Sequence, residues 1–352
     1  MTKKRNGRRR TLITTLVVIT LVVAAFLFVP TGKYVEVPGS ASVTSKFVHV
    51  AGKKDRQPGS YRLMTVSIIG PATPAILLWA HWQPFAEVDS KSDLMGNATT
   101  AEYNALQRYY IKSAANAAVV AAMRAARRPV KVHSRGIYVM SLLRNSPLKG
   151  HVRPGDVITK INGQQYQRAS GYTAAIARLK VGERVRVTYT HRGRQHNVTV
   201  KLVRLTQTHR AGIGITLTDR TAVTSTPHVR IDAGDIGGPS AGLIFALETY
   251  QQVTGDNLRN GRIVAGTGTI DEQGKVGAIG GIDKKVSAAA KAGATIFFAP
   301  DVPATRAMLR EDPHYVNNYV VARRAAKKIG TKMRIVPVRS LQQAINYLRT
   351  HK

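Results

Sequence analysis

Ser240 and Lys285 are the residues whose types and sequence settings best fit covalent chemistry, and that chemistry is acyl transfer. Ser240 lies in the run Asp-Ile-Gly-Gly-Pro-Ser-Ala-Gly-Leu, residues 235–243. The two glycines and the proline do not continue a strand, so they turn the chain and place the serine at the start of an apolar helix. Its hydroxyl then lies among unpaired backbone N–H groups at the positive end of the helix dipole, where an oxyanion is stabilised.

The lysine 45 residues after Ser240 (285 − 240 = 45) is the candidate base. A serine is a weak nucleophile until its proton is removed, and a lysine removes it when burial among apolar neighbours disfavours the charged ammonium. Lys285 has such a setting, because Ile282, Val286 and the alanines that follow predict a helix of small and apolar residues. Lys284 points about 100° away on that helix. We therefore predict that Lys285 is the general base and Lys284 a surface charge.

The segments around these residues resemble the Lon protease family. The shared motifs are Gly-Pro-Ser-Ala-Gly (238–242), Thr-Gly-Thr-Ile (267–270) at the end of a predicted strand 263–270, Gly-Lys-Val (274–276), Ile-Gly-Gly (279–281) and Ala-Gly (292–293). The resemblance implies a Ser-Lys catalytic dyad at Ser240 and Lys285. Thr267 falls where family members place a threonine close to the lysine, which makes it a candidate hydrogen-bond partner. The turn residues Gly238, Pro239 and Ala241 are the remaining supporting positions.

The chain departs from the ATP-dependent members of that family in two respects. Many of them carry an acidic residue three positions before the serine, whereas this chain has Gly237 there and its nearest carboxylate is Asp235. The sequence also has no Gly-x-x-x-x-Gly-Lys-[Ser/Thr] motif, so no ATP-driven unfoldase is predicted. We therefore expect substrates that are already unfolded or exposed.

Two other interpretations of the serine remain open. Ser240 also fits a helix N-cap beside a Gly-Pro turn, with Lys285 as a solvated helix lysine. The same residues also fit Gly-x-Ser-x-Gly, the nucleophile elbow of α/β-hydrolase esterases. That fold needs a downstream acid and a histidine, for which the sequence offers Asp301 or Asp312 with His314 or His351. Only about a hundred residues follow the serine, which is short for the rest of that fold, so the dyad is favoured.

The N-terminus predicts the side of a membrane on which the chemistry takes place. Six lysines and arginines in residues 1–10 precede a stretch without charge, residues 11–29, which is long enough to cross a hydrocarbon core of about 30 Å. The positive charges should keep residues 1–10 in the cytoplasm and place the rest of a single-pass protein outside the cell. A cleaved signal peptide is the alternative, with its nearest cleavage-like site at residues 38–42. The apolar stretch is longer than is usual for signal peptides, so a retained signal anchor is favoured.

The composition favours an exported protein without a disulfide framework, because the chain of 352 residues has no cysteine. The formal net charge is +34, but lysines and arginines are spread along the chain without a known nucleic-acid-binding pattern. No nucleic-acid partner is therefore predicted. The charge fits anionic lipid, acidic wall polymer or a general surface charge. No cluster of metal ligands or dinucleotide motif occurs, so no metal or cofactor is predicted.

Residues 133–205 resemble a PDZ domain of the bacterial protease type. The most specific part is Gly-Asp-x-Ile…Ile-Asn-Gly, residues 155–163. The other predicted elements are a strand at 136–140, a helix at 172–179 and strands at 182–190 and 197–203. The resemblance implies that Gly136, Ile137, Tyr138 and Val139 form a carboxylate-binding loop, beside which an extended peptide adds as a strand. Tyr138 replaces the usual third-position glycine of that loop. A PDZ domain that acts as a lid or spacer is the alternative.

Two elements before this unit indicate that it is an insertion. Residues 60–67 predict a strand, and Ala101 to Ala126 predict one long helix with an apolar stripe. In Lon-type domains a strand and an alanine-rich helix precede the nucleophile. We therefore predict that residues 40–128 and 206–352 form one protease domain around the PDZ domain.

The segment that contains both tryptophans has two open interpretations. Trp79 and Trp82 fit either a core or an apolar surface near the membrane. Pro71, Pro74 and Pro84 make the apolar run between them too short for a second span.

Taken together, these features resemble the membrane-anchored, PDZ-containing Lon-like proteases of Gram-positive bacteria. The implied fold class is α+β: a basic cytoplasmic tail (1–10), a transmembrane helix (11–29) and a Lon-type α/β domain with an inserted PDZ domain. The implied function is ATP-independent cleavage, outside the cell, of exported peptides or membrane-associated proteins, with a homo-oligomer as an open possibility. The non-enzymatic alternative is a membrane-tethered PDZ adaptor on an inactive protease scaffold.

Overall fold

The computed structural model describes residues 3–96 and 98–351, which form a mixed α/β structure. The helices are α1 (Lys3–Phe28), α2 (Pro74–Ala80), α3 (Lys91–Met95), α4 (Thr100–Ala125), α5 (Ala169–Ala177), α6 (Gly242–Thr254), α7 (Ile282–Lys291), α8 (Arg306–Glu311), α9 (Asn318–Lys328) and α10 (Leu341–Thr350). The strands are β1 (Lys33–Val43), β2 (Val48–Val50), β3 (Ser60–Ala72), β4 (Glu87–Ser90), β5 (Val130–Leu142), β6 (Val157–Ile161), β7 (Arg184–His191), β8 (Arg194–Lys201), β9 (Val203–Arg204), β10 (Ala211–Gly212), β11 (Ile215–Ser225), β12 (Val229–Ile231), β13 (Ile263–Gly266), β14 (Thr269–Ile270), β15 (Val276–Gly277), β16 (Ile296–Pro300) and β17 (Arg334–Val338).

A six-stranded mixed sheet joins the segments that lie before and after β5–β11. Its strand order is β17-β16-β13-β3-β1-β4. The strands from β17 to β3 are parallel, and β1 and β4 complete the sheet in antiparallel pairing. Within the sheet, the two segments meet where β3 pairs with β13, from Ser60 opposite Ile263 to Leu63 opposite Gly266.

Both faces of this sheet are covered by helices, because successive side chains of a strand point to opposite faces. On β3, Leu63 belongs to the core that contains α4, α6 and α10, whereas Met64 belongs to the core that contains α7 and α9. The fully buried strand β16, Ile-Phe-Phe-Ala-Pro, is typical of a central parallel strand that is covered on both sides. Helix α6, which follows Ser240, and helix α7, which carries Lys285, therefore lie on opposite faces of one sheet.

Residues between β5 and β11 form a second, five-stranded sheet with the order β11-β5-β6-β7-β8. This sheet and α5 enclose a core of their own, which includes Ile137, Ile158 and Tyr172. Strand β11 lies in the segment predicted as the second part of the protease domain, yet it pairs along β5 from Ile215 opposite Leu142 to Ser225 opposite Val130.

Local signals in the sequence explain where helix α4 begins and where helix α6 ends. Helix α4 starts after a capping box in which Thr99 and Glu102 satisfy each other's backbone N–H groups. Helix α6 ends at Gly255, which has the left-handed conformation expected of a helix C-terminus. The predicted strand 263–270 is interrupted, because β13 ends at Gly266 and β14 starts at Thr269.

Helix α1 is the one helix, within the described part of the chain, that is long and apolar enough to cross a membrane. Its window Thr11–Phe28 has a mean hydropathy of 2.6 and is not buried, and a signal sequence has the same properties. Helix α2 contacts α1. Trp82 is 68% exposed and Trp79 42% exposed, so neither tryptophan belongs to the core.

Candidate active site

The turn before Ser240 is shaped by close packing against α4. A Cβ atom on Gly237 would lie 2.8 Å from the Cβ atom of Gln107, so only glycine fits at that position. Gly238 has a φ of 85°, which a residue with a side chain rarely adopts. The backbone N–H of Gly238 donates to the carbonyl oxygen of Gln107 at 3.0 Å. Pro239–Ala241 then form one 3₁₀ turn that leads into α6.

The structure brings Ser240 and Lys285 into direct contact. The ammonium Nζ of Lys285 donates to Oγ of Ser240 at 2.6 Å. It also donates to Oγ1 of Thr267 at 3.3 Å. Both hydroxyl oxygens accept from the same nitrogen, so the lysine can exchange a proton with Ser240 without moving.

Lys285 is 4% exposed, on a part of α7 that packs against β1 and β3. Burial lowers the pKa of Lys285 to about 8, and the negative charge of Glu36 opposes this shift. A lysine with this pKa is partly neutral near pH 8, and only the neutral amine accepts a proton. The site therefore places a serine hydroxyl beside an amine that is partly neutral near pH 8.

Thr267 lies at the interruption between β13 and β14, and this interruption holds the serine turn. Its Oγ1 donates to the backbone oxygen of Ser240 at 3.0 Å. The next residue, Gly268, donates its N–H to the same oxygen at 2.9 Å. The carbonyl of Gly268 accepts from the N–H of Leu243 at 3.1 Å. The N–H of Thr267 still donates to the carbonyl oxygen of Phe298 on β16, at 3.1 Å, and the chain leaves the sheet at Gly268, whose N–H and carbonyl bond to the segment around Ser240.

The prediction of a surface charge is wrong for Lys284, which is 2% exposed. Its Nζ donates to Oε2 of Glu87 at 2.8 Å and lies 3.7 Å from Glu36 and 3.9 Å from Asp283. Burial lowers the pKa of Lys284, but the hydrogen bond to Glu87 and the charges of Asp283 and Glu36 outweigh it and hold the pKa above its usual range. Lys284 is thus a charged, structural lysine.

A cavity of about 960 Å³ opens at Ser240. Its walls are part of β3, the side chains of Tyr103 and Gln107 on α4, the segment 233–241 and the segment 278–281. The last segment is fixed by the buried side chain of Asn318, whose amide exchanges two hydrogen bonds with the backbone of Ile279, at 2.9 and 2.8 Å. His314 and His351 are exposed and do not line this cavity, so the alternative triad is not assembled around Ser240.

The predicted carboxylate-binding loop lies within β5, at the edge of the second core. Gly136 has a φ of 102°, and a Cβ there would lie 2.3 Å from the carbonyl oxygen of Ile158, which explains the glycine. Ile137 and Val139 are buried in that core. Tyr138 instead turns to α4 and stacks on its residue Tyr109, with the ring centroids 3.9 Å apart. This contact gives a structural reason for a tyrosine at the loop's third position.

Sequence reasoning missed three residues that position these groups. Gln107 holds the serine turn, Asn318 holds the segment before α7, and Glu87 neutralises Lys284. Each acts across a long sequence separation, so no local motif marks it.

The sequence model of the PDZ domain family matches residues 127–202. The solved PDZ domain of an SdrC-like protein from Listeria monocytogenes is 33% identical and covers 25% of this chain and 92% of that chain, with a TM-score of 0.24. The PDZ domain of an SdrC-like protein from Listeria innocua is 32% identical and covers 23% of this chain and 92% of that chain, with a TM-score of 0.23. A structure from Geobacillus thermodenitrificans is 33% identical and covers 23% of this chain and 94% of that chain, with a TM-score of 0.21. No curated protein matches the chain.

Proposed function

The chain contains a PDZ domain at residues 127–202, and from this premise we propose that it is a membrane-anchored, ATP-independent serine endopeptidase of the Lon-like type. Ser240 is the nucleophile and Lys285 the general base. The PDZ domain binds extended peptide segments, as PDZ domains do by strand addition. The substrates are exported peptides or exposed segments of membrane-associated proteins.

One observation carries this proposal: the contact of 2.6 Å between Lys285 Nζ and Ser240 Oγ, made by a lysine that is 4% exposed. A helix N-cap serine has no need of a buried lysine, and a buried lysine without an ion pair is costly to the fold. Such a group is usually retained at a functional site, where its lowered pKa has a use.

The first chemical step follows from this contact. Neutral Lys285 accepts the proton of the Ser240 hydroxyl while Oγ attacks the carbonyl carbon of the peptide bond. The resulting ammonium of Lys285 then gives that proton to the leaving amine, and an ester between Ser240 and the acyl part of the substrate remains. In the second step Lys285 accepts a proton from water, the hydroxide attacks the ester, and the proton returns to Ser240 Oγ.

The oxyanion of both steps is stabilised at the start of α6. Because the N–H of Gly238 is bonded to Gln107, the N–H groups available near the nucleophile belong to Ser240 and Ala241. They point from the positive end of the helix dipole. Thr267 keeps this turn in place through its bond to the backbone of Ser240.

Helix α1 and helix α2 support a location at the membrane. The basic residues 1–10 favour a cytoplasmic N-terminus. Residue Thr31, just after α1, donates two hydrogen bonds to the carbonyl of Ala72 at the end of β3. The exposed side chains of Leu78, Trp79 and Trp82 therefore lie close to the point where the chain leaves the bilayer, at the depth where tryptophans are enriched. We infer an extracellular catalytic domain that lies on the membrane.

The direct test incubates the full chain, in detergent, with a mixture of secreted peptides and without ATP. Products are identified by mass spectrometry and compared with those of two variants. Ser240→Ala removes the serine of the dyad, and Ser287→Ala is a matched control on α7. The proposal requires cleavage by the parent chain and by Ser287→Ala, and its loss in Ser240→Ala. Cleavage that persists in Ser240→Ala would refute it.

The PDZ match favours one other function, that of a membrane-tethered adaptor that binds peptides without cleaving them. If the chain is an adaptor, the parent chain and the Ser240→Ala variant retain peptides equally well, and neither yields products. The two functions are therefore separated by the same incubation, when both retained peptides and products are measured.

A further inference from the structure

The edge of the PDZ domain to which a peptide strand would add is occupied by the chain itself. Strand β11 pairs antiparallel with β5, from Ile215 opposite Leu142 to Asp219 opposite Ile137. The other edge of β5 pairs with β6. Because the PDZ family match ends at residue 202, β11 is an addition to the domain and not one of the matched strands.

The side chains of β11 have the pattern of a PDZ ligand. Ile215 and Leu217 pack against the PDZ core, whereas Thr216 between them is exposed. The strand runs toward the loop 136–139 and reaches it at Asp219. The carboxylate of Asp219 accepts a hydrogen bond from the N–H of Ala169, at the start of α5, and lies 3.7 Å from Arg168. Two apolar anchors at alternate positions thus precede a bound carboxylate.

We propose that residues 215–219 are an internal ligand of the PDZ groove, and that an external peptide with alternating apolar side chains and a terminal carboxylate competes with them. The register of β11 allows this exchange, because the second of its two irregularities, between Asp219 and Thr221, separates residues 215–219 from the rest of the strand; the first lies between Thr216 and Leu217. Residues 221–225 remain paired with residues 130–134 when residues 215–219 detach.

Helix α4 contacts both the internal ligand and the serine turn, so it connects this exchange to Ser240. The hydroxyl of Tyr109 donates to the carbonyl of Asp219. Two residues earlier on the same helix, the carbonyl of Gln107 accepts from the N–H of Gly238. Detachment of residues 215–219 removes the partner of Tyr109, next to the residue that fixes the turn of Ser240. Occupancy of the groove is thereby coupled to the active site; this consequence alone depends on the proposed function.

The absence of cysteine from the sequence permits a clean test. Ser141 and Thr216 are directly paired, and both are exposed. The double variant Ser141→Cys/Thr216→Cys therefore forms a disulfide that locks the internal ligand on β5. The matched control is Arg186→Cys/Thr199→Cys, an exposed pair between β7 and β8 that leaves the groove free. All variants carry Ser240→Ala, so that the result does not depend on catalysis.

The probe is the synthetic peptide Gly-Ile-Thr-Leu-Thr-Asp, the sequence of residues 214–219, with a fluorescent label at its N-terminus and a free terminal carboxylate. Fluorescence anisotropy measures its binding to the full chain before and after oxidation. We expect oxidation to weaken binding at least about 10-fold in the groove pair and to leave it unchanged in the control pair, since the tethered strand otherwise competes only by its effective concentration. Equal binding by the oxidised and reduced groove pair would overturn the proposal.

A second variant strengthens binding if the proposal is correct. Leu217→Glu removes one anchor of the internal ligand, so the chain with this change should bind the probe at least about 10-fold more tightly than the parent chain. Thr199→Glu changes an exposed side chain on β8, outside the groove, and should leave binding as it is. Failure of the probe to bind to Leu217→Glu, or equal affinity for both variants, would also overturn the proposal.

Discussion

Lys284 and Lys285 are neighbours on α7, and their pKa values shift in opposite directions. Lys285 faces the hydroxyls of Ser240 and Thr267, and burial lowers its pKa to about 8. For Lys284, burial is outweighed by the hydrogen bond to Glu87 and the nearby carboxylate charges, which raise its pKa. The rotation of about 100° per helical residue is what separates these environments. One lysine is thereby able to act as a base, and the other stays an ion-pair partner.

Exchange of each lysine for methionine should have opposite effects on stability. At pH 7 folding either buries the charged ammonium of Lys285 or removes its proton, and both cost free energy. Lys285→Met should therefore raise the free energy of unfolding by about 1 to 3 kcal/mol, and it should abolish peptide cleavage. Lys284→Met leaves carboxylates unpaired, so it should lower the free energy of unfolding by about 1 to 3 kcal/mol. It should largely retain cleavage. Urea unfolding and a peptide-cleavage assay measure both effects. Equal loss of cleavage in the two variants would contradict the assignment of the base.

Peptide cleavage should increase with pH through about 8. The pKa of Lys285 is lowered in the folded chain, so the neutral amine is the minor form below pH 8 and the major form above it. The stability of the fold changes in the same direction. The free-energy cost of burying Lys285 applies in full below about pH 8, and it disappears as the pH rises toward 10.5, the pKa of the lysine in the unfolded chain. A plot of log(kcat/KM) against pH should rise with a slope near 1 and level off. A profile that is flat from about pH 6 to 10 would rule out a neutral-lysine base.

Thr267 should act as a positioning residue. Thr267→Val removes the hydroxyl that donates to the backbone of Ser240 and accepts from Lys285. We expect kcat to fall about 10- to 100-fold with little change in KM, because the nucleophile and base lose their alignment. Thr267→Ser restores the hydroxyl and should recover most of kcat. If both variants lose the same activity, the hydroxyl alone does not restore kcat, and this outcome would contradict the positioning role assigned to its hydrogen bonds.

The two tryptophans of the chain allow a test of the proposed membrane location. In liposomes that contain the full chain, brominated lipids should quench tryptophan emission, since both side chains are exposed near the end of α1. The single-tryptophan variants Trp79→Phe and Trp82→Phe separate the two signals. Trp82, which is more exposed, should be quenched more strongly than Trp79. Emission that is insensitive to brominated lipid in both variants would place α2 away from the bilayer.

The Ser240–Lys285 contact was predictable because both residues lie in short motifs with glycines at fixed offsets. The glycines force turns, and the turns place both side chains at the starts of their helices. The local elements that depend on such signals, such as the end of α6 at Gly255, follow from the sequence in the same way.

Long-range partners were not predictable from the sequence. Glu87 is 197 residues before Lys284, and only the closure of the six-stranded sheet brings β4 to α7. The alternation from Ile215 to Ser225 is compatible with a strand, but it does not say which edge the strand joins. The structure joins it to β5, and this gives the PDZ domain an internal occupant.

The central claim, that Lys285 activates Ser240, is tested most directly by labelling the full chain with a fluorophosphonate reagent at about pH 9, where the lysine is mostly neutral, and measuring its intact mass. A fluorophosphonate reacts with a serine only when that serine is activated as a nucleophile. The account predicts one adduct on the parent chain, located at Ser240, the same adduct on Lys284→Met, and none on Ser240→Ala or Lys285→Met. An adduct on Lys285→Met at the parental rate, or no adduct on the parent chain, would contradict it.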